Sequence, residues 1–315
     1  MSTVLALKPV AAEKNPVAAD GAIRGHAASA QVAVVLAVPA EIRPAVAAPE
    51  ARPGRGSERL RDFLKAVIPP LLGLALMTGL WSMVATMTGN IPGPGKTWDA
   101  ARILFADPFY RNGPNDQGIG WNVLASLQRV GIGFGFAAAI GIPMGFMLGR
   151  FSFMNRMFDP IISLLRPVSP LAWLPIGLLV FKAANPAAIW TIFICSIWPM
   201  VINTAVGVQR VPQDYMNVAR VLNLNEWKIV TKILFPSVLP YMLTGIRLSI
   251  GTAWLVIVAA EMLTGGVGIG FWVWDEWNNL KVEHIIIAIF VIGIVGLLLE
   301  QMLILVAKRF SYGSQ

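Results

Sequence analysis

Six apolar stretches, each of about 20 residues or more, decide what this chain can become, because a helix rising about 1.5 Å per residue crosses roughly 30 Å of hydrocarbon in that length. They run from Ala66 to Met87, Val123 to Gly149, Ile161 to Phe181, Pro186 to Val208, Leu243 to Leu263 and His284 to Ala307. Backbone polar groups inside a bilayer must be satisfied within the protein, and spans of this length do so as helices. With 56% hydrophobic and only 13% charged residues, the fold class is an all-α membrane protein with about six transmembrane helices. The pI near 9.9 follows from a shortage of carboxylates, 17 against 25 basic residues, and does not argue for nucleic acid as a partner. A lone Cys195 excludes an internal disulfide, and two histidines, His26 and His284, exclude a histidine metal cluster.

The loops set the orientation. With the amino terminus inside, the cytoplasmic face collects fifteen Lys and Arg residues, among them Arg150, Arg156, Arg166, Arg210, Arg220, Lys228, Lys232 and Arg247, and the opposite face collects six. Short cytoplasmic segments retain such excess, so both termini are expected in the cytoplasm. Residues 1–57 read as a disordered, Ala/Pro-rich cytoplasmic tail. The ten-residue apolar patch from Gln31 to Ala40 is too short to span and lacks the compact basic region of a secretory signal. Residues 58–118 hold the first transmembrane helix and an extracytoplasmic loop, 119–310 the transmembrane core with a long cytoplasmic loop at 209–242, and 311–315 a short tail.

Within the spans, Gly131, Gly135 and Ala139 repeat every four residues, as do Ala137, Gly141, Gly145 and Gly149. Small residues at that spacing let helix backbones approach, either inside the subunit or at a pore or subunit interface. Pro143, Pro167, Pro170, Pro175 and Pro199 each free a carbonyl, as broken helices in transport pathways do. Arg129 and Glu261 lie deepest among the charges. They either form an intramembrane pair or snorkel separately to the outer interface. Glu300 is placed near the inner boundary, facing other subunits or the cytoplasm. Trp98, Trp121, Trp272, Trp274 and Trp277 fall where interfacial aromatic belts form, or else pack on neighbouring helices, and Phe271 to Leu280 fits a segment lying flat on the membrane.

Two motifs imitate nucleotide sites. Asn90 to Thr97 ends like a phosphate-binding loop but lacks the first glycine, and its two prolines remove amide donors. Gly133, Gly135 and Ala138 imitate a dinucleotide fingerprint inside a transmembrane helix. Nothing here binds or hydrolyses ATP, and no catalytic or metal constellation is visible.

The cytoplasmic stretch from Asn217 to Pro240 is longer than a connection between two spans needs. Asn217 to Leu224 suits one short helix, Asn223 and Asn225 a turn, and Trp227, Val230 and Leu234 the apolar face of a second helix that Pro236 is expected to end. This stretch resembles the coupling loop of binding-protein-dependent ABC importer permeases, whose pattern is E-A-A, three residues, G, nine residues, I-x-L-P. Ala219, Ile233 and Pro236 match it. Asn217, Val218, Asn223 and Phe235 depart from it. The resemblance extends from about Gly120 to Phe310. Arg166 to Pro175, Ala259 to Leu263 and Gly266 to Phe271 are similar to the nitrate, sulfonate and bicarbonate branch, and the segments from Ile189, Val208 and Phe271 to its nitrate permeases.

The resemblance implies a type I ABC importer permease fold of the MetI-like kind, not itself an enzyme, in a bacterial inner membrane. It implies as partners a second permease copy, two ABC ATPase subunits that bind ATP and Mg, an extracytoplasmic substrate-binding protein and membrane lipid. It places ATPase coupling at Asn217, Val218, Ala219, Arg220, Asn223, Ile233 and Pro236. For the translocation path of a small anion, nitrate first and nitrite with it, the polar or basic residues Arg129, Ser169 and Asn203 are the candidates. The same machinery carrying bicarbonate, an alkanesulfonate or taurine is the alternative, followed by a secondary anion transporter, for which no inverted repeat is visible.

Overall fold

The computed structural model describes residues 55–311, so the Ala/Pro-rich tail up to residue 54 and the last four residues lie outside the described residues. The first long helix, α1, is Arg55–Thr88, and a short outer helix, α2, is Pro94–Leu104. Then follow α3 (Ile119–Arg150), α4 (Ser152–Leu165), α5 (Pro170–Phe181) and α6 (Ala184–Gln209). The loop after them forms α7 (Gln213–Val221) and α8 (Glu226–Ile229), and a π-helical turn, Val230–Leu234, leads into α9 (Phe235–Thr264). The chain closes with α10 (Ile269–Asn278) and α11 (Val282–Ser311). The phosphate-loop imitation at Asn90 to Thr97 divides between a non-helical approach, Asn90 to Gly93, and the first turn of α2, where Thr97 is buried and bonds back to Gly93.

Among the described residues, five helical segments are long and apolar enough to cross a bilayer alone. The sixth expected span, Ile161 to Phe181, is not a continuous helix. It divides between α4 and α5, which meet at an angle of 100°. The break has a local cause. Pro167 and Pro170 supply no amide donors, and the residue before a proline is pushed out of the helical region, so Ser169 stands at φ −58°, ψ 137°.

Helix α3 lies against α6 at backbone contact. A β-carbon on Gly133 would fall 2.8 Å from Ile192, one on Gly145 2.5 Å from Thr204, and one on Gly149 2.5 Å from Val208. Ala137, in the same four-residue register, is fully buried. The second small-residue series is thus intramolecular packing, whereas Gly131 and Gly135 face open space. The order of these contacts shows that α3 and α6 run parallel. The connection between them must therefore carry the chain back across the membrane, and the bent pair α4 and α5 does so.

Helix α9 returns antiparallel along α6. Gly245 approaches Asn203 and Pro199, and the Ser249 hydroxyl donates to the Ser196 carbonyl at 2.6 Å, one turn before Pro199 interrupts the ladder. Helix α11 runs antiparallel to α9, with Trp254 Nε1 donating to the Ile292 carbonyl at 2.9 Å. Trp81 of α1 packs on Phe290 of α11. This alternation puts the Lys65 end of α1 and the end of α11 on one face. The apolar core joins residues of α3, α5, α6, α9, α10 and α11, including Ile192, Trp254, Ile257 and Ile269.

Replacing Gly145 by alanine is expected to cost about 1–3 kcal/mol, because the added methyl has no room against Thr204 and the Val201 carbonyl. Gly131→Ala, with nothing within 4 Å, is expected to be neutral or slightly stabilising. Thermal unfolding of the two purified variants in detergent checks the contrast.

Candidate coupling and translocation site

The segment expected to couple is built on a buried alanine. Ala219 is 0% exposed and packs with Val208, Val211, Ile229, Leu234 and Val238, so α7 is seated on the inner ends of α6 and α9. A longer side chain at this position would lift the helix off its seat. Asn217, Val218, Arg220, Val221 and Leu222 point away and are exposed. Arg220 Nη1 donates to Asn217 Oδ1 at 3.3 Å.

Helix α7 ends in a reciprocal pair of backbone bonds: Leu224 N–H donates to the Ala219 carbonyl and Asn223 N–H to the Arg220 carbonyl, both at 3.0 Å. That closure requires a left-handed residue, and Asn223 takes it at φ 49°. Asparagine tolerates this region where the family pattern has glycine, which explains how the geometry survives the departure. Asn225 then caps α8, its Oδ1 accepting from Lys228 N–H at 2.9 Å. Pro236 does not end the second helix as its position in the sequence predicts. The π turn ahead of it widens the backbone, Pro236 falls in the first turn of α9, and helical structure continues from Glu226 to Thr264. Ile233 packs partly buried beneath this turn.

One tie from the core to this segment has no counterpart in the sequence motif. Arg150, the last residue of α3, grips Glu226, the first of α8, through Nη2 to Oε1 at 2.9 Å and Nε to Oε2 at 3.2 Å. Each charge also complements its helix end. Only the fold brings residues this far apart in the chain together.

At the outer end of the same helices Arg129 and Glu261 meet. Arg129 Nη1 donates to Glu261 Oε1 at 2.6 Å and to the Val267 carbonyl at 2.7 Å, and Nε donates to Asn185 Oδ1 at 2.6 Å. Glu261 is 1% exposed. Its carboxylate also accepts from Ser126 Oγ at 2.7 Å and from the Gly270 N–H at 3.0 Å, at the amino end of α10. Ser126 in turn accepts from Ile269 N–H, and Asn122 Oδ1 from Gly268 N–H, both at 2.9 Å. This knot fastens α3, α6, α9 and α10 through one desolvated charge whose lone pairs are occupied, which makes a buried ion tolerable.

The glycines of G-V-G-I-G gain their meaning here. A β-carbon on Gly268 would fall 2.4 Å from the Glu261 carboxyl carbon, and one on Gly270 2.1 Å from the Val258 carbonyl oxygen. Asn122, Ser126 and Asn185 were not legible as partners of the pair. Their only signal was that polar residues stood on faces of otherwise apolar helices.

The three residues considered for the path do not converge. Arg129 is engaged in the knot. Ser169 caps α5, accepting from Leu171 N–H at 3.3 Å. Asn203 donates to the Pro199 carbonyl at 2.8 Å, on the side of α6 that faces α9. Glu300, expected to face other subunits or the cytoplasm, pairs with Arg247 of α9. Among the tryptophans, Trp272 is buried and stacks on His284 and Trp121 lies under Arg111, whereas Trp98, Trp274 and Trp277 are exposed. The buried Glu276 sits 3.0 Å from His284 Nδ1.

The family described as "Binding-protein-dependent transport system inner membrane component" matches residues 137–312. The nitrate import permease of Synechocystis sp. is 48% identical over 236 residues, covering 75% of this chain and 86% of that protein. The nitrate import permease of Leptolyngbya laminosa is 46% identical, covering 78% and 88%. A bicarbonate transport system permease of Synechocystis sp. is 43% identical, covering 82% and 95%. Among solved structures, a chain of the inward-facing MetNI methionine ABC transporter matches with a TM-score of 0.51 at 16% identity, covering 62% of this chain and 94% of that one, a likeness of fold.

Arg129→Ala is expected to destabilise the protein by about 3–5 kcal/mol by leaving Glu261 buried without its cation. Arg129→Ala combined with Glu261→Gln is expected to recover part of that loss, read as the melting temperature in detergent. At the end of α7, Asn223→Gly is expected to be neutral or stabilising by up to about 1 kcal/mol, and Asn223→Val to be destabilising. Proteolysis of the loop in native membranes resolves that order.

Proposed function

We propose that this chain, which belongs to the family of inner membrane components of binding-protein-dependent transport systems, carries nitrate, and nitrite with it, into the cell by alternating access. It is the non-catalytic permease subunit of an ABC transporter and a multi-pass protein of the inner membrane. The observation that carries the coupling part of this reading is α7. One face, through Ala219, is locked into the core, and the other presents an exposed apolar edge of Val218, Val221 and Leu222. A rigid edge of that kind transmits displacement instead of absorbing it.

In this reading two ATPase subunits, which bind ATP and Mg, grip that edge on paired permease copies. Their closure moves α7 and the inner ends of α6 and α9 together, because buried Ala219 seats α7 on them. The passage then opens outward, where a binding protein releases its anion, and hydrolysis returns it inward. Driving is necessary, since a monovalent anion entering a negative interior climbs about 2.3 kcal/mol per 100 mV. Coupling needs ATPase contacts that differ between the two states, and an exposed edge on a short helix can supply them. Ala219 acts as a positioning residue, and Asn217, Val218 and Arg220 are the contact candidates.

Two nitrate import permeases among the relatives support nitrate as the cargo. Bicarbonate is the second reading, favoured by the bicarbonate permease relative. Both are small planar oxyanions of one charge, and nothing in the helices favours one shape over the other.

The test is ATP-driven uptake of labelled nitrate, nitrite, bicarbonate and an alkanesulfonate into vesicles holding the assembled complex. Uptake of nitrate in preference to bicarbonate supports the proposal, and the reverse preference replaces nitrate with bicarbonate. The Val221→Asp, Leu222→Asp double variant is expected to insert and melt normally yet lose ATP-driven uptake. Full uptake in that variant removes the coupling assignment.

A further inference from the structure

We infer that Arg166, at the elbow between α4 and α5, is the cationic contact for the anion on the inner half of the passage. The inference rests on the reading that the chain carries a small oxyanion. In the sequence Arg166 counts only as one more cytoplasmic charge, but the 100° break changes its surroundings. Helix α5 pairs with the outer half of α6, Gly177 lying against Ala187 and Trp190. Its twelve residues descend about 18 Å from the outer end, so the elbow lies in the inner half of a bilayer roughly 30 Å thick.

There the elbow borders a cleft of about 650 Å³. Asn155, Asp159, Ser163 and Arg166, spaced four, four and three apart, bring one polar face of α4 to it, and α6 lines it with the apolar Val201, Ile202, Ala205 and Val206 and with Gln209. The neighbouring face of α4, Met154, Phe158, Ile162 and Leu165, packs into the core around Val201 and Ala205. A helix that turns a polar stripe toward a cavity at this depth is built to line water.

The side chains of Arg166 and Asp159 have no partner among the described residues, in contrast to Arg129, Arg150 and Arg247, each of which holds a carboxylate. A guanidinium presents paired donors in a plane, matching two oxygens of a planar oxyanion. Asp159 lies seven residues earlier on the same face, about 10 Å along the helix. At that distance the carboxylate leaves the guanidinium free and keeps the field at the elbow weak. A conducting site needs that balance, attractive enough to admit the ion and weak enough to release it.

The experiment uses the complete complex in vesicles, with uptake of labelled nitrate and of bicarbonate measured beside ATP hydrolysis. Arg166→Gln is expected to lower uptake of the transported anion about tenfold while binding-protein-stimulated hydrolysis stays within about twofold, and Arg166→Lys to restore part of it. Undiminished uptake in Arg166→Gln overturns the inference while leaving the importer reading intact. Failure of the unaltered complex to move either anion overturns the importer reading itself.

A second measurement covers a variant that fails to assemble. In a Cys195→Ala background, Ser163→Cys is reacted from the cytoplasmic side with anionic and cationic thiol reagents of equal size. Faster reaction with the anionic reagent, retained in Arg166→Lys and abolished by Arg166→Gln, supports a wet, cation-governed cleft. No reaction, or no preference of sign, overturns it.

Discussion

Parallel packing of α3 on α6 at backbone contact is the constraint from which most of the structure follows. Gly133, Gly145 and Gly149 leave no space for a β-carbon, so the two helices share a long surface of dispersion contacts and carbonyl dipoles instead of interlocked side chains. Two neighbouring helices that run in the same direction need a crossing between them. Here it is the broken pair α4 and α5, with Arg166 at its elbow. The antiparallel return of α9 along α6 then sets the inner ends of both beneath α7, which is why one buried methyl, Ala219, suffices to hold that helix.

Charge is handled differently at the two ends of this core. On the outer side Glu261 is withdrawn from solvent and saturated by Arg129, Ser126 and the Gly270 amide, an arrangement that joins four helices and resists change. On the inner side the pairs are partly exposed: Arg150 with Glu226, and Arg247 with Glu300. Exposed pairs contribute little stability and exchange easily with water. An importer driven from the cytoplasm by ATPase movement is served by that asymmetry, with a stiff outer frame and an inner face free to rearrange.

Much of this was readable from residues in order. The apolar runs gave α3, α6 and α11 within a few residues and the ends of α1 and α9, though α1 starts eleven and α9 eight residues earlier than the apolar run, because the length needed to cross hydrocarbon is a one-dimensional requirement and polar helical turns outside it leave no hydropathy signal. The loop from Asn217 to Pro236 was readable too, since Asn223 and Asn225 are local signals for a helix end and a cap. Two readings required correction. Ile161 to Phe181 is apolar enough to look like one span, and hydropathy cannot distinguish a straight crossing from a bent one. Pro236 looks like a stop, and the π turn that admits it has no signature in composition.

The chain's order alone thus determined the membrane as solvent, the approximate spans and the family, all properties that depend on residues near one another along the chain. The tertiary structure decided which charges meet and which stay unpaired. Arg129 lies 132 residues from Glu261, and Arg150 lies 76 from Glu226. The small-residue series looked alike in the sequence, yet one faces α6 and the other faces outward. Such partnerships depend on how helices are rotated and bent against each other, and that is fixed only when every backbone group and buried charge in the core has found a partner at once.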